Sequence, residues 1–306
     1  MTHKTISKNS IEKIVEDALI VFQLVEDIPQ LWDQSFNTYK TNCRRIPEYI
    51  SEGRLKIAVV GVIKSGKSTF VNSLVGKELV KRGAGVITSI TTRIRKGRKN
   101  QATLYFKSWD DINFQIQNAL LLFPDEGTDN KLLNNFDIRR KNDRNYLKKA
   151  YQTLIKDFPD KKAQIRPEIL LIKYALLGFD KCKDLVNADE NIIRFKSREF
   201  DKHKAYTSDP NIAFYLKDVC IDVFGKKLDP NLEIADCQGA DSTDPAQLEQ
   251  VLTYLESSNL IIYCISSRIG LRQSDITFLN QIKNLGLLEN IIFINNCDLT
   301  EHENLD

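Results

Sequence analysis

The chain has 306 residues, of which 42% are hydrophobic and 28% charged, so it is long enough for a sizeable core in one large domain or two smaller ones. Its net charge of +3 gives no overall electrostatic reason to expect a nucleic-acid partner. The N-terminus lacks the apolar stretch of a secretory signal, and no run approaches the roughly 18 apolar residues that a membrane-spanning helix requires.

The cysteines and histidines limit the kinds of catalytic or metal site that the chain can have. Six cysteines stand at positions 43, 182, 220, 237, 264 and 297, and none belongs to a CxxC pair. Several lie in apolar, strand-like runs, where a reduced cysteine acts as a small hydrophobic residue. This usage predicts a reducing, cytoplasmic compartment. His3, His203 and His302 are far apart in the sequence and indicate neither a metal cluster nor a catalytic histidine.

The first half of the chain reads as a helix, a strand, a turn and a second helix. Apolar residues recur at near-helical spacing within residues 10–50, which predicts a helical segment whose apolar stripe must be buried. The run LKIAVVGV at 55–62 predicts a buried strand of a parallel sheet, and STFVNSLVG after it predicts a helix with Gly76 near its end. Residues 88–106 look extended, whereas the pattern from about 108 to 206 is helical and polar.

Strands and helices alternate in the last third of the chain. Strands are predicted at 218–225, 232–236, 259–266 and 290–295, with helices near 244–256 and 273–284. Such alternation is typical of an α/β fold with a doubly wound sheet. Here the sheet carries a helical insertion at about 107–216.

The segment GVIKSGKST matches the phosphate-binding pattern G-x-x-x-x-G-K-[ST]. It follows a predicted buried strand and opens a predicted helix, which is the context that this motif requires. Backbone N–H groups of the loop and of the helix N-terminus form an anion cradle, and glycines let the backbone approach the phosphates. Lys67 is expected to reach the β- and γ-phosphates, and the Ser68 hydroxyl to ligate Mg²⁺. The predicted nucleotide-binding residues of this loop are Gly61, Lys64, Ser65, Gly66, Lys67, Ser68 and Thr69.

A second motif, LEIADCQG, allows two interpretations. As an apolar strand that ends in Asp236, it supplies a carboxylate that helps to hold Mg²⁺ in ATPases and GTPases alike. As D-x-x-G, from Asp236 to Gly239, it is the GTPase form of the motif. The Gly239 N–H then meets the γ-phosphate, and the loop moves when that phosphate leaves. Its place after a strand, downstream of the phosphate loop, favours the GTPase form.

The segment INNCD at 294–298 lies where a loop that reads the base is expected. Guanine presents an N1–H and an exocyclic amine, and the carboxylate of Asp298 can accept from both. Adenine leaves such a carboxylate poorly paired, which discriminates against it. Asn295 is placed to hold the loop and face the base carbonyl. Asn296 stands where GTPases carry a Lys whose stem covers the purine, so we expect a working but weakened motif.

Together these motifs resemble the dynamin superfamily of large GTPases, especially its bacterial branch, over roughly 55–106 and 217–300. The segment RGAGVIT at 82–88 resembles the first switch of that family. The resemblance implies that Thr88 closes on Mg²⁺ and helps to position the attacking water. It also implies that Gly83 and Gly85 offer backbone carbonyls near the transferring phosphate.

The resemblance also implies a domain organisation. Residues 1–50 are the N-terminal helical segment that dynamins pack in a bundle, and 51–306 are the GTPase domain with its insertion. Three features depart from the family pattern: Gln238 stands in place of Pro, Asn296 in place of Lys, and residues 107–216 have no residue-by-residue match. A domain of this kind needs a further strand and helix after the base-reading loop, so we expect the chain to be an N-terminal fragment.

Within the insertion, residues 139–162 carry nine Lys or Arg against three Asp, with Tyr146, Tyr151 and Phe158 between them. This composition suits a surface for a partner or for lipid headgroups. It also suits a solvated helix with an apolar stripe, which such patterns favour.

The leading functional hypothesis is Mg²⁺-dependent GTP hydrolysis, with Lys67, Thr88, Lys64 and Gly239 as catalytic residues and Ser68, Thr88 and Asp236 at the metal. Lys64 either points to solvent or lies beside the β–γ bridge, where the guanylate-binding branch of related GTPases has an Arg. By resemblance, the protein self-associates through the GTPase domain and works in the cytoplasm, peripherally at a membrane lipid surface. The alternatives are a slow GTP-dependent switch that recruits a protein partner, and a P-loop ATPase.

Overall fold

A computed structural model describes residues 8–26, short stretches between 28 and 47, and residues 53–80, 90–121, 135–157, 166–187, 191–225, 227–237 and 245–297. The chain divides into two compact units, Met1–Leu55 and Lys56–Asp306. None of the described helices is both long and apolar enough to cross a membrane.

The first unit contains the helix α1 (Lys8–Glu26), and further helical positions are described between residues 36 and 47. Val15 on this helix is buried, and the ring of Phe22 lies 6.1 Å from that of Phe36. The helical spacing of apolar residues read from the sequence therefore corresponds to a real helix, which ends at Glu26.

The second unit is built on a single sheet. Its strands are β1 (Leu55–Val60), β2 (Thr91–Lys96), β3 (Gln101–Phe106), β4 (Ile192–Lys196), β5 (Leu216–Val223), β6 (Leu232–Asp236), β7 (Leu260–Ser266) and β8 (Ile291–Asn296). They form eight adjacent strands in the order β4-β3-β5-β2-β6-β1-β7-β8. The pairs β1–β7, β7–β8 and β2–β5 are parallel, whereas β2–β6, β3–β5 and β3–β4 are antiparallel.

Helices lie between the strands. They are α2 (Lys67–Val75), α3 (Trp109–Leu121), α4 (Lys141–Asp157), α5 (Pro167–Val186), α6 (His203–Ser208), α7 (Pro210–Ala213), α8 (Pro245–Glu256) and α9 (Gln273–Asn284), with 3₁₀ turns at Ser197–Lys202 and Leu288–Asn290. The α/β sheet with an N-terminal helix and a helical insertion, predicted from the sequence, is confirmed.

One element of the insertion was read wrongly. Strand β4 lies in the stretch expected to be helical, and it pairs antiparallel with β3 at the sheet edge. Its sequence, IIRFK, has five residues, and an apolar run that short does not distinguish a strand from a helix turn by periodicity.

The sheet separates two hydrophobic cores. Val59 of β1 belongs to the larger core, which also contains Ile94 and residues of α2, α3, α4 and α5. Ala58 and Val60, its neighbours in sequence, belong to the smaller core with residues of α8 and α9. Successive strand residues point to opposite faces, so a strand buried on both faces is apolar throughout. This explains the unbroken apolar run that leads to the phosphate loop.

Candidate functional site

The described residues of the predicted site lie at the end of the sheet where β1, β7 and β8 finish. Strands β1, β7 and β8 run parallel, so the loops that follow them emerge on the same side. Asp236 at the end of β6 reaches this edge too, because the next residue, Cys237, donates its backbone N–H to the Val59 carbonyl at 2.9 Å. Ligands of open α/β sheets bind at such an edge.

Two glycines allow the loop between β1 and α2 to close. Gly61 has φ 145° and Gly66 has φ 93°, both in the region that favours glycine. A Cβ on Gly61 would lie 2.3 Å from the Cys264 carbonyl oxygen, and one on Gly66 would lie 2.1 Å from the side-chain nitrogen of Asn296. Because Gly66 precedes α2 without a side-chain cap, the first N–H groups of the helix remain available to an anion.

Lys67 is held over this loop. Its ammonium donates to the carbonyl oxygens of Gly61 at 2.7 Å and Val62 at 2.8 Å. These bonds fix the charge on the concave side of the loop, beside the N-terminus of α2. The arrangement fits the predicted role of Lys67 as the phosphate contact.

Ser68 and Asp236 are brought together although 168 residues separate them. The Ser68 hydroxyl donates to Asp236 Oδ2 at 2.7 Å. Burial raises the pKa of the Asp236 carboxyl above its ordinary value, while the Ser68 hydrogen bond and the Lys67 charge act in the opposite direction. The second oxygen, Oδ1, is buried and has no hydrogen-bond partner in the described part of the chain.

This pair fits a magnesium ion by its chemistry. A hydroxyl and a carboxylate are both hard oxygen donors, and Mg²⁺ in nucleotide sites typically takes one or two protein oxygens together with phosphates and water. Among the described residues, none donates to the buried Asp236 Oδ1, and a cation would compensate this acceptor. No group of three or more metal-binding side chains occurs among the residues that the structure describes.

Sequence reasoning missed Asn72, which anchors the chain entering the predicted first switch. Its Oδ1 accepts from the backbone N–H groups of Leu79 and Val80, both at 2.9 Å, and its amide donates to the Val80 carbonyl at 2.8 Å. Beyond the switch, Thr92 on β2 is the register partner of Asp236. The described residues on either side of the predicted first switch are therefore held at α2 and beside Asp236.

Several predicted residues lie outside the described ones. They are Gly83, Gly85 and Thr88 of the first switch, Gly239 of D-x-x-G, and Asp298 of the base-reading loop. Their assignments stay predictions.

Asn296 contacts the phosphate loop. Its side-chain amide donates to the Ser65 carbonyl at 3.2 Å, and the same amide occupies the space beside Gly66. The residue expected only to weaken the base-reading motif thus links the end of β8 to the phosphate loop. Asn295 and Asn296 are both exposed residues.

The remaining loop residues differ in exposure. Ser65 is fully buried and its hydroxyl has no hydrogen-bond partner in the described part of the chain. Lys64 and Thr69 are exposed. Lys64 has φ 68°, a left-handed conformation that costs a residue other than glycine about 1–2 kcal/mol. Such strain is typically kept where function requires it.

The cysteines near the site are apolar packing residues. All six cysteines of the chain are free, and Cys182, Cys220, Cys237 and Cys264 are buried. Burial raises the pKa of the Cys264 thiol to about 11 and that of Cys237 well above its ordinary value. These thiols stay protonated at neutral pH, which agrees with the reading of small hydrophobic residues.

Comparisons with known proteins find a matching family and similar sequences. A family model described as the dynamin family matches residues 57–297. Dynamin-like protein A of Bacillus subtilis is 22% identical over 260 residues, and a bacterial dynamin-like protein of Nostoc punctiforme is 33% identical over 69 residues. These alignments cover 82% and 22% of this chain, but only 20% and 10% of the two relatives.

Two solved chains from an oligomerised bacterial dynamin pair, described as sensing and tethering membranes over long range, are also similar. Their TM-scores are 0.45 and 0.44, at 17% and 16% identity. Each match covers 94% of this chain, and 39% and 46% of the solved chains.

Proposed function

Because this chain belongs to the dynamin family, whose model matches residues 57–297, we propose that it binds GTP and hydrolyses it with Mg²⁺. The family relationship expected from the motifs is thereby confirmed, and the reaction is inferred from the site. The observation that carries the proposal is the 2.7 Å hydrogen bond from Ser68 to Asp236, which joins the phosphate loop to the D-x-x-G strand. The phosphate loop and the D-x-x-G motif can act on the same phosphate only if they lie this close together.

In the proposed site, this chain's residues bind and neutralise the triphosphate. The backbone N–H groups at the start of α2 and the Lys67 ammonium hold the β- and γ-phosphates. Ser68 and Asp236 would hold Mg²⁺, which when bound neutralises phosphate charge that builds up during transfer. The preorganised loop needs little rearrangement to receive the anion, which is how fixed dipoles accelerate a reaction.

The hydrolytic step is assigned to the two switches. Thr88 would help to position the attacking water, with the carbonyls of Gly83 and Gly85 nearby, and the Gly239 N–H would meet the γ-phosphate. Support comes from the two ends of the first switch, because Asn72 holds Val80 and Thr92 pairs with Asp236. Lys64 would add positive charge beside the β–γ bridge.

Guanine selection is assigned to Asp298, with Asn295 holding the loop. The tie between Asn296 and the Ser65 carbonyl supports this, since it brings the base-reading loop to the phosphate loop. A short Asn cannot cover the purine as a Lys stem would, so we expect micromolar or weaker affinity, about −8 kcal/mol or less favourable.

Two wider roles rest on the family relationship alone. We propose that the protein self-associates through its GTPase domain, and that it works in the cytoplasm at a membrane. Both concern the longer protein as much as this chain, which spans 20% of its Bacillus subtilis relative.

Calorimetric titration with GTP, GDP and ATP in Mg²⁺ tests the proposed substrate. We expect GTP and GDP to bind more tightly than ATP, and Asp298→Asn to reduce that preference. Equal dissociation constants for GTP and ATP would favour a P-loop ATPase instead. Tight GTP binding without turnover would favour a switch that recruits a partner.

A further inference from the structure

Among the described side chains of α4, which are those of Lys141–Lys156, the exposed ones are lysine or uncharged polar residues. At about 100° per residue, these exposed positions fall within roughly 140° of the helix circumference. We call them the lysine face, and they are Lys141, Asn142, Asn145, Lys148, Lys149, Gln152, Thr153 and Lys156. Half of these positions are lysine and none is acidic, in a chain whose 44 basic residues are nearly balanced by 41 acidic ones.

The opposite side of α4 fixes this orientation. Leu147 and Leu154 are buried in the larger core, with Tyr146 and Tyr151 packed against it. The guanidinium of Arg144 also points inward, where it donates to the Ile138 carbonyl at 2.7 Å and lies over the Phe179 ring. The helix therefore cannot rotate to pair its lysines without losing this packing.

Several other lysines of the second unit are paired with acidic residues. Lys202 contacts Glu199 at 2.6 Å, Lys204 contacts Asp201 at 2.7 Å, and Lys181 contacts Asp209 at 2.8 Å. The lysines of the lysine face make no hydrogen bond or ion pair in the part of the chain that the structure describes. Their charge is thus directed entirely outward, as a surface for an anion would require.

We propose that the lysine face docks the domain on the anionic headgroups of a lipid bilayer. The arginine and tyrosines of α4 point inward, so the face lacks the forked donors and stacking rings by which proteins read or stack on nucleic-acid bases. It also has no exposed apolar side chain that could enter the acyl region. Docking is then purely electrostatic and leaves the bilayer unpenetrated.

The size of the face sets the strength expected. From Lys141 to Lys156 its lysines extend about 22 Å along the helix axis, which is enough to contact several headgroups at once. Each lysine near an anionic membrane strengthens binding about fivefold, and the effect fades within a Debye length of roughly 10 Å. The result is weak, reversible docking that salt abolishes. This surface takes no part in the proposed GTP reaction, and a protein inactive toward GTP would still dock.

Vesicle flotation measures this docking. The chain is mixed with vesicles of phosphatidylcholine, or of phosphatidylcholine with about one third phosphatidylserine, over roughly 0.05 to 0.5 M salt. We expect flotation only with the anionic vesicles and only at low salt. The double variant Lys148→Gln, Lys149→Gln should bind about 25-fold more weakly.

The matched control is Lys202→Gln, Lys204→Gln, which removes the same charge from lysines already paired with acids. It should change vesicle binding less than twofold, about what a distant charge contributes. Equal weakening by both double variants would mean that only net charge matters and would overturn the proposal. Equal flotation with neutral vesicles, or binding of an RNA oligonucleotide but not of anionic vesicles, would overturn it too. Lys67→Ala should leave flotation unchanged, which separates this test from that of GTP hydrolysis.

Discussion

Lysines serve two regions of this molecule under opposite constraints. At the phosphate loop, the ammonium of Lys67 is fixed by the carbonyls of Gly61 and Val62 inside a cradle of backbone groups. On the lysine face of α4, Lys148 and Lys149 project outward with no partner in the described part of the chain. The charge is the same in both regions, and the geometry differs.

The difference teaches what each region can select. A fixed charge among aligned N–H groups acts on one anion at one position, because the cost of ordering it is met when the protein folds. A row of free charges acts on any extended anionic surface, with an effect that is additive and screened by salt. Removing one lysine charge should therefore reduce ligand affinity much more at the phosphate loop than on the lysine face of α4.

The largest expected effect is that of Lys67→Ala, which we expect to weaken GTP binding by at least about a hundredfold. The variant loses charged hydrogen bonds to phosphate that no neighbouring side chain can replace. Lys148→Ala removes an equal charge from α4 and is the matched control, with nucleotide affinity unchanged. Calorimetric titration of both variants would contradict the comparison if their losses were similar.

Asp236 supplies the negative charge opposite Lys67 and makes the loop sensitive to pH. Because burial raises the pKa of Asp236, GTP turnover should begin to fall on acidification at a higher pH than an ordinary Asp would give. Without Mg²⁺, the protonated form favours folding, so the free energy of unfolding should decrease as pH rises through the raised pKa. Asp236→Asn should remove that pH dependence of stability and slow turnover by at least about tenfold.

Denaturant unfolding across pH, in the presence of a chelator, measures the stability part of this prediction. Ser68→Ala is a useful companion, because it removes the hydrogen bond that opposes the rise in the Asp236 pKa. If the unfolding free energy of Asp236→Asn followed pH exactly as that of the unchanged protein does, the carboxyl would not be the group that titrates.

Lys64 is the intermediate case, exposed like the lysines of α4 but set in the phosphate loop like Lys67. As a hypothesis, its strained backbone at φ 68° holds the ammonium beside the β–γ bridge. Lys64→Ala should then slow single-turnover hydrolysis by at least about tenfold with GTP affinity nearly unchanged, and added K⁺ should partly restore the rate. Lys is a point charge without the fork of Arg, so the effect should stay below that of an arginine finger.

Lys64→Gly and Lys64→Arg sharpen that test. Gly relieves the left-handed strain and should raise the stability of the fold by about 1 kcal/mol, yet it should lose the same rate as Ala. Arg keeps a charge at this position and should retain the rate. If all three variants hydrolysed GTP at the rate of the unchanged protein, Lys64 would have no role in the reaction and would be a solvent-exposed lysine like those of α4.

The smallest expected effect is at Asn296, which contacts the loop without a charge. Asn296→Ala should weaken GTP binding about fivefold, the value of one net hydrogen bond, because the contact with the Ser65 carbonyl is lost. Asn296→Lys should tighten binding, since a Lys stem covers the purine. If neither variant changed the affinity for GTP, neither the contact with Ser65 nor the missing Lys stem would contribute to guanine binding.

The sequence predicted those parts of the site whose chemistry is local. Gly61, Gly66 and Lys67 belong to one short motif, because the loop needs those residue types at that spacing to hold a phosphate. Asp236 was also readable, since a carboxylate at the end of an apolar strand is a local signal. The contact between Ser68 of that motif and Asp236, which are 168 residues apart, then followed from the fold.

The sequence could not predict hydrogen bonds between the backbone and side chains that belong to no motif. Asn72 and Asn296 bond to backbone carbonyls 8 and 231 residues away, and neither partner leaves a pattern in the sequence. The same holds for β4 and for the antiparallel pairing of β2 with β6, because alternation of helices and strands does not fix the order or direction of each strand. In the sequence the lysine face is only a basic segment. Whether its lysines form ion pairs depends on which acidic residues lie nearby in the folded structure.

The most direct test of the central claim is single-turnover release of phosphate from GTP and from ATP, each with Mg²⁺ and with a chelator. The account predicts release from GTP with Mg²⁺, far slower release from ATP, and none above background when Mg²⁺ is removed or when Lys67 is changed to Ala. Release from ATP at the GTP rate, or a GTP rate that is unaffected by removing Mg²⁺, would contradict it.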